Sequence, residues 1–182
     1  PKQRIWRRFG EKSARRGMDY GVAMHTLMQY VRFEACASLE ELEGEIDRLT
    51  AARVIPAELA PKLDRNAILA FFRTELGRKL MTGKYIREFK FSILEDADAY
   101  GEGLGGEQIL LQGVVDCALV EPDGITVVDF KTDYVTDATL SEVLARYRPQ
   151  VDTYSRALER IYETPVKGTY LYFFHLKKLI AV

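Results

Sequence analysis

At 182 residues, 47% hydrophobic and 29% charged with a formal net charge of −1, the chain is long enough for one domain with a real core and has a soluble globular profile. A charge so near zero excludes a bulk electrostatic sponge for nucleic acid, so any such contact must come from local clusters of Lys and Arg. No apolar run reaches membrane-crossing length and no signal-peptide pattern opens the chain, which predicts a cytoplasmic protein without a membrane partner.

The opening "PKQRIWRRFGEKSARRG" sets seven basic residues against the single acid Glu11. It reads either as a solvated linker from a preceding domain or as a strip that meets phosphates. Its first residue is Pro rather than Met, as in a segment of something longer. From Met18 to Phe33, Met24, Leu27, Met28 and Val31 form an apolar stripe at helical spacing. "SLEELEGEIDRLTAARV" opens on Ser38 and Glu41, a capping-box pair, and predicts an amphipathic helix. Further helices are expected within 57–63, 65–75 and 77–82, separated by Pro61, Asp64 and Gly77.

"KYIREFKFSIL" then switches to period two, with Tyr85, Arg87, Phe89, Phe91 and Ile93 on one face and Ile86, Glu88, Lys90 and Ser92 on the other. The Gly-rich "DADAYGEGLGG" reads as a flexible hairpin connection rather than a phosphate loop, and no Walker-type Gly-Lys-Ser/Thr occurs in the chain, so no nucleotide site is expected. Two strands follow, then a helical stretch over 138–162 in which Pro149 predicts a break or a fresh start. "VKGTYLYFFHLKK" reads as a buried strand, with "LIAV" as a short last one. This order predicts an α/β (α+β) fold with a mixed central sheet flanked by helices. Cys36 and Cys117 are too few for a four-cysteine zinc or iron–sulfur site and are expected to be reduced.

"GVVDCALVEPDGITVVDFKTD" carries the chemistry. If the turn is Glu121 to Gly124, Val120 pairs with Ile125 and Asp116 falls opposite Asp129, with Lys131 opposite Val114. Alternation puts Asp116 on the face of Val114, Ala118 and Val120, and Asp129 and Lys131 on that of Ile125 and Val127. Two carboxylates so close on apolar strands need a shared proton or a cation between them. Lys131 supplies one in a buried ion triad, although such clusters seldom stabilise more than apolar packing. A Mg²⁺ or Mn²⁺ ion answers the same need, with Lys131 beside the attacking water.

These strands resemble motifs II and III of the PD-(D/E)XK nuclease superfamily, and more narrowly the RecB-like nuclease domain at the C-terminus of AddA/RexA-type helicase–nucleases. "YGVAMH" is similar to that family's Gly-x-x-x-His motif (Gly21, His25), "REFKF" to its Glu-containing strand (Glu88), and "RYRPQVDTYSRAL" to its Gln-x-x-x-Tyr motif (Gln150, Tyr154). The resemblance implies a restriction-endonuclease-like fold and His25, Asp116, Asp129 and the Phe130 backbone carbonyl as metal ligands. It implies Asp116, Asp129 and Lys131 as catalytic residues, Glu88 as support, and Gln150 and Tyr154 along the DNA path. Residues 1–16 then join a preceding helicase region of the same full-length protein, and 17–182 form the nuclease domain. Val115 stands where the superfamily's literal motif has Pro, and the four cysteines that hold an iron–sulfur cluster in AddB-type relatives are absent.

The residues alone leave bland readings open. His25 on an otherwise apolar helix is ordinarily a core or surface histidine, and Gln150 with Tyr154 is equally ordinary packing on one helical face. The expected function is a Mg²⁺- or Mn²⁺-dependent DNA exonuclease domain of a bacterial AddAB/RecBCD-like helicase–nuclease in double-strand-break repair and recombination. Its partners are single-stranded DNA and an AddB/RexB-like subunit. The alternative is a catalytically inactive nuclease-fold module that binds DNA or protein.

Overall fold

The structure is a computed structural model that describes residues 15–97 and 106–182. The basic opening segment up to residue 14 and most of the Gly-rich connection, 98–105, lie outside the described residues.

Four helices form the first layer. Helix α1 (Arg15–Tyr30) buries Met24, Leu27 and Met28 at the predicted spacing, and Val31 is buried just beyond its end. Helix α2 (Leu39–Ala51) starts with the expected reciprocal cap. Ser38 Oγ accepts the Glu41 N–H, and Glu41 Oε2 accepts the Ser38 N–H, both at 3.2 Å. Helices α3 (Arg65–Phe72) and α4 (Glu75–Thr82) follow.

Two expectations fail here. The stretch 57–63 holds only a 3₁₀ turn, Ala60–Lys62, with Pro61 inside it where no N–H is available for an α-helical bond. Gly77 lies inside α4 rather than before it. The break is made by Thr74, whose Oγ1 accepts the Gly77 N–H at 3.0 Å. A Cβ at Gly77 would stand 2.1 Å from the Phe71 carbonyl oxygen, so only glycine lets α4 turn this tightly off α3.

The second layer is a five-stranded sheet in the order β1 (Lys84–Asp96), β2 (Gln108–Glu121), β3 (Gly124–Lys131), β4 (Val166–Phe173), β5 (Lys178–Ala181). All neighbours are antiparallel except β3 and β4, which are parallel and joined by the crossover helix α5 (Leu140–Tyr162). The predicted α/β fold with a mixed central sheet is therefore observed.

Helix α5 runs through Pro149 without ending, contrary to the expected break. Apolar residues on both sides of the proline dock on the sheet, Leu140, Val143 and Leu144 before it and Val151, Ala157 and Leu158 after it. That packing outweighs the one helical bond a proline removes.

Sheet alternation separates two cores. Tyr85, Cys117, Leu119, Val128 and Phe130 pack toward α1–α4. Ile86, Phe89, Phe91, Val115, Ala118, Ile125 and Val127 pack with the second core, which includes Tyr154, Ala157 and Leu158 of α5. On β1, Tyr85 and Phe89 thus belong to opposite faces although an even spacing should keep them together. Cys117 and Val115 on β2 do the same. The inversion falls between Arg87–Cys117 and Phe89–Val115, at the rung of Glu88 and Asp116, where Glu88 has φ +50°. The uniform faces expected for both strands are corrected accordingly. Both cysteines are free and buried.

Candidate active site

The hairpin register is the one the turn predicts. Val120 pairs with Ile125, Glu121 with Gly124 and Cys117 with Val128. The next rung in that register is Asp116 and Asp129, and there the regular ladder stops. Asp116 does not share the face of Ala118. Its Oδ2 instead accepts the Phe130 N–H at 2.8 Å, so a carboxylate stands in for a backbone carbonyl along the β2–β3 seam. The inverted rung on β2 is what turns it there, and Glu88 lies across from it on β1.

Asp129 and Lys131 do share the α5 face of β3. Both are buried, and Lys131 Nζ lies 2.5 Å from Asp129 Oδ2. The two form a buried ion pair. The same ammonium has two further partners. It donates to Gln150 Oε1 at 2.8 Å and lies over the Tyr147 ring at 3.7 Å from the centroid. Gln150 Nε2 donates in turn to Tyr154 OH at 2.8 Å, and Tyr147 OH to Asp133 Oδ2 at 2.7 Å. Gln150 sits mid-helix, because α5 runs through Pro149 without the fresh start expected there.

His25 comes from α1, with Nδ1 3.8 Å from Asp116 Oδ2. Gly21, one turn earlier, explains how α1 comes so near. A Cβ there would stand 3.0 Å from Thr132 Oγ1, directly after Lys131 in the chain. The electrostatics are strained. Burial, with the Asp129 charge second, pushes the Asp116 carboxyl well above its usual value, and the bond from Phe130 only partly opposes this. Burial also raises Glu88, with Asp129 adding to the effect against Lys90. The His25 imidazole is held below its ordinary value by desolvation, against the pull of Asp129, and so stays neutral with a free ring lone pair.

All the sequence-predicted side chains therefore fall in one neighbourhood: His25, Glu88, Asp116, Asp129, Lys131, Gln150 and Tyr154. Tyr154 is itself buried, edge-on to Phe91. Sequence reasoning missed Tyr147 and Asp133. The only signal was that Tyr147 lies three residues before Gln150, on the same side of a helix. No three His, Cys, Asp or Glu side chains are gathered as a ready metal cage among the described residues. The donor chemistry nonetheless suits a hard cation, with the carboxylates of Asp116 and Asp129 on neighbouring strands and the His25 imidazole 3.8 Å from Asp116.

A two-carboxylate rung followed by a held lysine, on a mixed sheet between helical layers, is the arrangement of a known class of phosphodiesterases. The chain belongs to the PD-(D/E)XK nuclease superfamily, whose model matches residues 2–180. The curated relatives it resembles carry names that describe ATP-dependent helicase/nuclease subunits. It is 36% identical to the one from Geobacillus thermodenitrificans and 33% to the one from Bacillus cytotoxicus, each over 96% of this chain and 15% of the relative. Identity to the Oceanobacillus iheyensis protein is 35% over 90% of this chain and 14% of the relative. The chain thus spans about 15% of the length of these relatives.

Proposed function

We propose that this chain is the DNA-cleaving domain of a helicase–nuclease, an exonuclease dependent on Mg²⁺ or Mn²⁺ that acts in double-strand-break repair and recombination. The observation that carries the reading is the convergence of two carboxylates, Asp116 and Asp129, with Lys131, whose Nζ lies 2.5 Å from Asp129 Oδ2 and is held by Gln150 and the Tyr147 ring. Lys131 is one cation for two neighbouring carboxylates, and a divalent ion would balance the second charge.

Asp116, Asp129, His25 and the Phe130 carbonyl would hold the ion. Bound there, a divalent cation would polarise the phosphate and lower the pKa of the attacking water. Lys131, kept in place by Gln150 and the Tyr147 ring, stabilises the negative charge that grows on the phosphate oxygens. Tyr154 fixes the Gln150 amide from behind. In this reading the pair serves the DNA path through the lysine. Glu88 shapes the rung that turns Asp116 into the seam. The likeness to helicase/nuclease subunits supports a single-stranded DNA substrate, a helicase region in the same full-length protein joined through residues 1–16, a cytoplasmic location and a partner of the AddB/RexB type. Among the described residues no helix is long and apolar enough to cross a membrane.

The test is hydrolysis of single-stranded DNA by this chain with Mg²⁺ or Mn²⁺. Asp129→Ala and Lys131→Ala are each expected to lower the rate by at least about 10²-fold while the far-UV circular dichroism stays that of the wild type. Equal metal-dependent rates in wild type and both variants would sink the mechanism. Metal-independent DNA binding by a wild type that never cuts identifies the inactive binding module instead.

A further inference from the structure

Strands β3 and β4 end side by side, with Lys131 paired to Phe173 and the Phe174 N–H donating to the Lys131 carbonyl at 3.1 Å. The two segments that leave these ends each present an aromatic ring. Tyr134, three residues past Lys131, is 78% exposed, and its ring lies against the exposed His175 with centroids 4.2 Å apart and planes at 46°. Three residues of chain span at most about 11 Å, so the pair stands close to the lysine. Nor is Tyr134 the tip of a loose loop. On one side Asp133 is held by Tyr147 OH, and on the other Val135 is fully buried. A fixed backbone therefore presents the ring to solvent.

We propose that Tyr134 and His175 form a stacking platform for a nucleobase of single-stranded DNA beside the scissile phosphate. The inference rests on the DNA-cleaving reading above. Every base has a π-face, so such a platform accepts any sequence. Bases within a duplex are stacked on one another and cannot reach it, so the platform selects single strands. The exposed Arg146, 3.9 Å from Asp133, the neighbour of Tyr134, suits a flanking phosphate.

The test compares wild type with Tyr134→Ala and Tyr134→Trp by fluorescence anisotropy on labelled oligothymidylate in EDTA, where cutting is suppressed. A parallel strand carries abasic spacers in place of bases. Tyr134→Ala is expected to weaken binding of the base-bearing strand about tenfold, and Tyr134→Trp to restore it. On the abasic strand wild type and Tyr134→Ala should bind equally. With Mg²⁺, the Tyr134→Ala defect should fall on KM with kcat unchanged. The high exposure of Tyr134 keeps folding out of these readouts. Equal affinity of wild type and Tyr134→Ala for the base-bearing strand overturns the platform, as does a loss that persists on the abasic strand. A wild type that binds in a Tyr134-dependent way yet cuts nothing supports the platform while refuting the catalytic reading. Unimpaired cutting and binding by Tyr134→Ala does the reverse.

Discussion

Glu88 holds a left-handed backbone in mid-strand, at φ +50°, which costs a side-chain-bearing residue about 1–2 kcal/mol. It also carries a carboxyl whose pKa burial raises. Strain of this kind persists where the surroundings over-determine it, and here the surroundings are the proposed catalytic rung. Glu88→Gly is accordingly expected to be more stable than Glu88→Ala by about 1 kcal/mol, measured by urea unfolding, with DNA hydrolysis reduced in both. The reverse order of stability would show that the conformation carries no strain. At this scale the sequence was informative for Asp129 and Lys131, because period-two alternation on β3 is unbroken. It was misleading for Asp116 and for the faces of β1 and β2. Glutamate is not a residue that marks a left-handed site, so nothing local announced the inversion. Tyr147 and Asp133 were invisible for a different reason, since their roles arise from one contact across the β3–α5 crossover.

Elements follow their local signals where those signals are chemical and lose them where packing decides. The Ser38–Glu41 box and the Pro-Asp turn of the β2–β3 hairpin each specify their geometry by hydrogen bonding, and both are observed as read. Pro149 and Gly77 have the local character of helix punctuation, yet both sit inside helices. In α5 the docking of both halves on one sheet face holds the helix together. In α4 the glycine serves the crossing with α3, not a break. Gly77→Ala would drive a methyl into the Phe71 carbonyl and should destabilise the chain by about 3 kcal/mol, seen as a lower urea midpoint with an unchanged slope. Gly44, with open space around the same added atom, is the control and should tolerate alanine.

Across the whole molecule, the helical layer is fastened by a buried carboxylate. Glu45 is held by Arg48, at 2.7 Å and 2.9 Å, and by the Arg32 side chain and backbone N–H, and these bonds lower its pKa to about 2. The unfolded chain therefore takes up a proton first. The stability this group contributes is complete above about pH 4.5 and is lost as the pH falls toward 2. Glu45→Gln should cost about 2 kcal/mol at neutral pH, and the gap to wild type should narrow in thermal melts taken from pH 4.5 down to 2. A gap that stays constant over that range would remove Glu45 as an acid-sensitive fastener. The inverted rung has a different reach. Because β1 and β2 both change faces there, their inversions must coincide if each core is to receive its own residues. Sliding one strand along the other by a full two-residue step, ordinarily harmless to facing, would set the two inversions on different rungs and strand apolar side chains among polar ones. The same Glu88–Asp116 pair that shapes the proposed catalytic rung thus acts as an indexing notch, so that the sheet can be assembled in one alignment and the carboxylates arrive at their places as a by-product of folding correctly.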